Sequence, residues 1–196
     1  MSSSFTAASA VNNQTIETAR SLRNLYLTRA GFSVIWVVLV ALFSKTSMGV
    51  ATILLIIYPA WDVLGTFLDL RANRNNPSKM PQYVNAAIST ITTIAVAAAL
   101  QKGVPEALIV FGIWAILTGA IQLVLGFQRR KLLGGQWPMM ISGGQSLLGG
   151  TSFIVLAHDP NMGITSLAGY AAFGAFYYLL SAFRLSKTAK QIAPVA

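Results

Sequence analysis

Long apolar stretches alternate with short polar segments along the whole chain. Between Glu106 and Arg129 lie 22 consecutive residues without a charged side chain, and the basic run 129–131 closes this stretch. A helix needs about 20 apolar residues to cross the hydrocarbon core of a bilayer. The stretch therefore predicts a transmembrane helix, and five other parts of the chain show a similar pattern.

The complete pattern predicts an all-α membrane protein with six transmembrane helices in three hairpins. The predicted crossings are residues 25–44, 48–68, 81–100, 107–127, 137–157 and 163–183, which together form one domain over residues 25–187. Residues 1–24 are predicted to be a polar cytoplasmic leader, and residues 188–196 a polar cytoplasmic tail. Within residues 14–28 the apolar spacing predicts a short helix lying on the membrane surface, with an unstructured basic segment as the alternative.

Composition and charge indicate that lipid surrounds most of the chain. Only 10% of the residues are charged and 55% are hydrophobic, whereas soluble domains carry about 25% charged residues. Of the 14 lysines and arginines, 12 fall on one side of the predicted bundle, and only Lys45 and Lys102 fall on the other. Because basic residues beside membrane helices stay cytoplasmic, both termini are predicted to be cytoplasmic. The asymmetry also explains the net charge of +9 without nucleic acid. The expected partner is therefore the lipid bilayer, and homo-oligomer formation stays open.

The residues that support most catalytic and metal chemistry are scarce. The chain contains no cysteine and one histidine, His158, which excludes thiolate nucleophiles and multi-histidine metal sites. Asp62 and Asp69 are seven residues apart on one predicted helix, about 10 Å along its axis, so they do not form a close carboxylate pair. No catalytic residue, metal site, cofactor or enzymatic activity is predicted. His158 lies in a predicted external turn beside Asp159, where it either senses acid or is simply solvated.

Asp62 is the most unusual polar residue in the predicted membrane helices. An ionised aspartate near the centre of a bilayer costs roughly 2.5 to 3.5 kcal/mol on insertion scales. No lysine or arginine is expected at the same depth, so the sequence predicts that Asp62 is protonated, hydrogen-bonded or hydrated and has no ion-pair partner. Candidate partners on neighbouring predicted helices are Asn85, Ser89, Thr93, Thr118, Gln122 and Gln145. Such a network is either a proton-responsive site or ordinary interhelical bonding, worth about 0.6 kcal/mol per contact.

Small residues recur at helical spacing in the fourth and fifth predicted helices. The glycines Gly112, Gly119 and Gly126 repeat every seventh residue, and the small residues Ser142, Ser146 and Gly150 repeat every fourth. Small side chains let helix backbones approach closely in lipid. These two series are therefore predicted to be helix-packing positions.

The even-numbered predicted helices share a pattern that indicates an internal repeat. The segments YPAWDVLGTFLDL, FGIWAILTGAIQL and FGAFYYLLSAFRL begin at residues 58, 111 and 173. Their ungapped alignment superposes the aromatics Trp61, Trp114 and Phe176, the small residues Thr66, Gly119 and Ser181, and the polar residues Asp69, Gln122 and Arg184. The alignment predicts three repeated hairpins around an axis along the membrane normal.

These segments resemble a known family. The repeat pattern, the closing run GYAAFGAFYYLLSAFRL and the first helix LYLTRAGFSVIWVVLVALF are similar to the HdeD family of bacterial acid-resistance membrane proteins. The resemblance covers roughly residues 20–187, and Pro59 and Asp62 depart from it. It implies a non-enzymatic inner-membrane protein with a role in acid or general stress resistance, and it supplies no catalytic residues. The alternative is a small proton-linked transporter or channel that uses the polar network around Asp62.

Overall fold

Six α-helices make up the computed structural model of this chain. The structure describes residues 2–73, 79–133 and 136–192, with side chains from residue 12 onward except 132 and 192. The helices are α1 (Ser2–Phe43), α2 (Met48–Ala72), α3 (Met80–Ala99), α4 (Val104–Leu133), α5 (Trp137–Val155) and α6 (Ile164–Ile192). The prediction of an all-α protein with six helices is confirmed.

The six helices form a closed ring. Each helix packs against the next one along the chain, and α6 packs against α1. The most extensive contacts join α4 to α5 and α1 to α6, whereas α5 and α6 make the least contact among the neighbours in the ring. The closest pairs thus join helices that the sequence assigned to different hairpins, and the threefold repeat stays a prediction.

Four of the helices are long and apolar enough to cross a membrane. The qualifying segments are Asn12–Phe43, Met48–Ala72, Val104–Lys131 and Ile164–Gln191. The helix α3 is not one of these four. Its buried face carries Gln82, Asn85 and Ser89, while Ile91 and Ile94 on its outer face are 67% and 68% exposed. A polar inner face and an apolar outer face are what a helix needs when lipid lies outside and a polar interior lies inside.

The first helix differs from its prediction. It is one continuous helix from Ser2 to Phe43, so no separate helix lies on the membrane surface. The apolar stripe that includes Ile16, Leu22 and Tyr26 is buried against α6 in a cluster with Leu185. The stripe has this partner because α6 continues as a helix to Ile192 and covers it.

Other predicted boundaries also change. The helix α2 runs through Pro59 without interruption, although proline removes one backbone donor from the helix. The helix α6 includes residues 188–192 of the predicted polar tail. Residues 193–196 of that tail, and residues 74–78 of the loop after α2, lie outside the described part of the chain.

Two apolar clusters occupy opposite ends of the ring. The first contains Trp36, Leu55 and Phe111, near the ends that carry the α1–α2, α3–α4 and α5–α6 turns. The indole Nε1 of Trp36 donates a hydrogen bond to the backbone oxygen of Leu54 at 2.8 Å. The second cluster, around Leu22, is at the other end. Between the two clusters the interior of the ring carries buried polar residues, among them Ser33, Asn85 and Ser89.

Candidate binding cavity

A cavity of about 370 Å³ lies inside the ring and is lined by residues from all six helices. At about 30 Å³ for each water molecule, this volume could hold roughly a dozen waters or one small solute. Tyr58, Trp114 and Tyr170 line it beside the first apolar cluster. Asp69 and Arg129 line it toward the second cluster. The cavity therefore has an aromatic end and a charged end.

Asp62 forms an ion pair that the sequence analysis had excluded. The guanidinium Nη1 of Arg29 lies 2.7 Å from the Oδ1 atom of Asp62, with the two side chains 15% and 13% exposed. The same nitrogen donates to the hydroxyl of Tyr178 at 3.0 Å. The prediction that Asp62 has no cationic partner is wrong because Arg29 is inside a helix that begins far upstream, not in the first turn of a helix beginning at residue 25.

Gly65 provides the space for this ion pair. A Cβ atom built on Gly65 would lie 2.8 Å from Nη2 of Arg29 and 2.9 Å from its Cζ. Real Cβ atoms do not approach other heavy atoms so closely. A glycine on α2 therefore lets the guanidinium lie against the helix backbone between Asp62 and Tyr178.

Two of the predicted polar partners bind the other carboxylate oxygen of Asp62. Asn85 Nδ2 and Ser89 Oγ donate to Asp62 Oδ2 at 2.7 Å and 2.8 Å. The Nε1 atom of Trp114 donates to the hydroxyl of Ser89 at 2.9 Å, and Asn85 also donates to Thr66 at 2.7 Å. These contacts tie α2, α3 and α4 together around one carboxylate.

A second buried ion pair joins α2 to α4. The Nη2 atom of Arg129 lies 2.7 Å and 2.6 Å from the two carboxylate oxygens of Asp69, and the side chains are only 6% and 9% exposed. Arg129 Nη1 donates to the hydroxyl of Tyr26 at 3.1 Å, and Asn73 Nδ2 donates to Asp69 Oδ1 at 2.6 Å. Arg129 was predicted to close the fourth crossing on the cytoplasmic side as part of the basic run 129–131; its side chain is instead buried in this ion pair.

Two tyrosines connect the ion pairs. Tyr178 accepts the hydrogen bond from Arg29, and Tyr26 accepts the one from Arg129. Their rings pack against each other with centroids 5.8 Å apart. A continuous line of polar and aromatic contacts therefore runs from Asp62 to the charged end of the cavity.

Several polar atoms that line the cavity have no hydrogen-bond partner among the described residues. Both amide atoms of Gln82 are unpartnered although its side chain is only 1% exposed, and Trp61 Nε1, Gln145 Oε1 and Arg129 Nε are also unpartnered. A buried polar group without a partner costs about 1 to 3 kcal/mol. Because these atoms are themselves buried, a ligand in the cavity would bond to them only after their side chains turn toward it.

The other predicted network residues lie apart from Asp62. Thr93 donates to the backbone oxygen of Ser89, Thr118 to that of Trp114 and Gln122 to that of Met139. The residues Thr118, Gln122 and Gln145 line the cavity wall. The six predicted partners therefore divide into two that bind Asp62, three that line the same cavity and Thr93, which bonds within its own helix.

The small residues of α4 and α5 lie at the interface of these helices. A Cβ atom on Gly112 would lie 2.6 Å from the backbone oxygen of Gly150, and one on Gly119 would lie 2.6 Å from Cβ of Ser146. The corresponding atom on Gly126 would lie 2.8 Å from Cγ of Met140. Ser142, the remaining predicted packing position, is buried and lines the cavity. Close contact of α4 with α5 thus depends on the glycines.

The aligned repeat positions are not equivalent in the structure. Trp61 and Trp114 line the cavity, whereas Phe176 is 56% exposed on the outside of α6.

His158 is also outside the cavity, 4.0 Å from a carboxylate oxygen of Glu106, with its side chain 72% exposed. Sequence reasoning missed Tyr26, Gln82 and Tyr178 as cavity residues.

Comparisons with known proteins identify no relative. No family model matches the chain, and neither a curated protein nor a solved structure matches it. Functional conclusions therefore rest on the geometry of the cavity and on the sequence.

Proposed function

We propose that this protein is a multi-pass membrane protein that binds a small uncharged solute in its central cavity, as the binding step of a carrier. The observation that carries the proposal is a cavity lined by all six helices whose charged groups are already paired. Arg29 is paired with Asp62, and Arg129 with Asp69. A charged ligand would have to compete with these pairs, whereas an uncharged one can use the unpartnered amide of Gln82.

We also propose that all six helices cross the bilayer. The helices α3 and α5 contain 20 and 19 residues, or about 30 Å of helix each at 1.5 Å per residue, which equals the thickness of the hydrocarbon core. With Arg29 and Arg129 neutralised inside the bundle, ten basic residues remain on the predicted cytoplasmic side, against Lys45 and Lys102 on the other. This ratio supports cytoplasmic termini, and the HdeD resemblance supports the inner membrane of a bacterium as the location.

The HdeD resemblance supports a second proposal, a role in acid or general stress resistance without enzymatic activity. Asp62 is held in a network of charged and polar groups inside the bundle. A deletion strain challenged with acid and complemented with Asp62→Asn tests this role. Full protection by the variant at an equal protein level would exclude Asp62 from it, and Asp159→Asn, at an exposed turn residue, is the matched control.

A thermal-shift screen of the purified chain tests solute binding. The panel contains uncharged polyols, sugars and amides, with acetate and choline as charged comparisons. We expect at least one uncharged compound to raise the melting temperature, and Gln82→Leu to abolish that rise. The exposed turn residue Gln101 supplies the control Gln101→Leu. A rise with only charged compounds, or one that Gln82→Leu leaves unchanged, would contradict the proposal.

A further inference from the structure

The cavity opens to the side of the bundle, at the middle of two helices. Among the residues that line it, only Leu148, Ser152 and Phe173 are exposed. Leu148 and Phe173 are 72% and 61% exposed. All three belong to α5 or α6; Leu148 and Phe173 are away from the ends of their helices, whereas Ser152 begins the last turn of α5. The opening therefore faces the surroundings of the bundle between α5 and α6.

Both ends of the cavity are closed. The aromatic end is covered by Tyr58, whose ring contacts those of Trp36 and Phe111 with centroids 4.7 Å and 5.7 Å apart. The charged end is covered by the Arg129–Asp69 ion pair and the apolar cluster beyond it. A ligand that came from either aqueous side would have to displace these groups.

The gap between α5 and α6 is the weakest part of the ring. These neighbours make the least contact, and the described hydrogen bond between their side chains joins Ser146 Oγ to Tyr170 Oη at 2.9 Å. Gly174 lines the cavity at this gap, and a Cβ atom built on it has no other atom within 4 Å. The space beside Gly174 is therefore open to part of an apolar chain.

The two parts of the opening differ in polarity. Away from the rim, the cavity wall includes Gln82 and Trp61, whose buried amide and indole nitrogen have no partner among the described residues and can bond to a head group when the side chains turn toward it. At the rim, Leu148 and Phe173 present apolar surface. Gln82 is the third residue of α3, near the charged end of the bundle, whereas the rim is near mid-helix. A polar head would lie toward one leaflet surface and an apolar chain toward the bilayer centre, as in a lipid monolayer.

We propose that the cavity receives its ligand from the bilayer through this gap, and that the ligand is an uncharged amphiphile with a single acyl chain, of the monoacylglycerol type. Its hydroxyl groups bind Gln82 and Trp61, and its chain passes Gly174 between Leu148 and Phe173. This inference rests on the proposed function and specifies its ligand class. The paired charges of the cavity select against phosphate-bearing heads.

Photolabelling tests the inference on the full chain in phosphatidylcholine nanodiscs. The label is a monoacylglycerol with a diazirine in its acyl chain, and a phosphatidylglycerol with the same diazirine is the charged comparison. We expect the monoacylglycerol to label the segments around Leu148 and Phe173. Gly174→Leu should reduce this labelling about tenfold and Gly174→Ala less, because the added side chain fills the gap. Gly169→Leu is the matched control, since Gly169 is exposed on the same helix with open space around it.

Gln82→Leu separates head-group binding from simple contact with lipid. It removes two hydrogen bonds to the head and should reduce monoacylglycerol labelling about tenfold. If both lipids label the protein equally, and neither Gly174→Leu nor Gln82→Leu changes the labelling, the label reports ordinary surrounding lipid. This result would overturn the inference. Crosslinks between two copies through α5 and α6 would also overturn it. If soluble uncharged solutes raise the melting temperature but the monoacylglycerol does not label the protein, only the side opening is refuted. If neither the thermal shift nor the labelling is observed, the proposed function is refuted as well.

Discussion

The Arg129–Asp69 ion pair allows a quantitative test of the charged end of the cavity. Arg129→Met removes two contacts of 2.7 Å and 2.6 Å to Asp69 and the 3.1 Å contact to Tyr26. The carboxylate then keeps Asn73 as a donor. Because both partners are at least nine-tenths buried, leaving one charge alone should cost about 3 to 5 kcal/mol of unfolding free energy.

Replacing both partners should restore most of this loss. The double variant Arg129→Met/Asp69→Leu has no uncompensated charge, and apolar replacements of a buried pair are often neutral or stabilising. Tyr26 and Asn73 each lose a hydrogen bond, at about 1 kcal/mol apiece, so the double variant should be about 2 kcal/mol less stable than the wild type. The double variant should therefore be more stable than Arg129→Met alone.

Thermal unfolding of the purified variants in one detergent measures these differences. At about 2 to 4 °C per kcal/mol for a chain of this size, Arg129→Met should lower the melting temperature by roughly 6 to 20 °C. The control is Glu106→Gln. Glu106 and His158 form an exposed pair at 4.0 Å, so this substitution should change the free energy of unfolding by no more than about 0.5 kcal/mol. A loss below about 1 kcal/mol for Arg129→Met, or additive losses in the double variant, would refute the assignment of a buried, coupled ion pair.

Two further predictions, on helix packing and on a buried hydrogen bond, use the same assay. Gly119→Ala places a Cβ atom 2.6 Å from that of Ser146 and should cost about 1 to 3 kcal/mol through overpacking, whereas Gly144→Ala, with open space around it, should be neutral or stabilising because alanine favours helix. A larger loss for Gly144→Ala than for Gly119→Ala would contradict the close approach of α4 and α5. Trp36→Phe removes the 2.8 Å hydrogen bond to the oxygen of Leu54 and should cost about 1 to 3 kcal/mol, including the lost packing; an unchanged melting temperature would exclude this bond as a stabilising contact.

The number and type of the helices could be predicted because each apolar run is bounded by polar turns. Lys45 and Thr46 fall between α1 and α2, and Gln101 and Lys102 between α3 and α4. The contacts of Asn85 and Ser89 with Asp62 could also be predicted, since these residues lie at matching depth on the next helix. The buried extension of α1 could not, because an amphipathic stripe fits a membrane surface and a protein surface equally well.

The Arg29–Asp62 pair could be predicted by counting residues outward from the turn that connects α1 to α2. Arg29 lies 14 residues before the end of α1 at Phe43, and Asp62 lies 14 residues after the start of α2 at Met48. In an antiparallel hairpin both are about 21 Å from the turn. The sequence indicated Gln82 as a cavity residue only weakly, through its position one turn before Asn85 on the polar stripe of α3. The pairing of Arg129 with Asp69 joins helices that are not consecutive, so no local spacing indicated it.

The polar inner face of α3 has a consequence for the biosynthesis of the protein. Under the proposal that all six helices cross the bilayer, a segment with Gln82, Asn85 and Ser89 on one side leaves the translocon for lipid at a high cost when it is alone. Its partners for these groups, Asp62 and Thr66, are on α2, and Trp114 on α4 completes the set. A ribosome-bound chain that ends after α3 should therefore hold that helix at the translocon, and release into the bilayer should follow synthesis of α4.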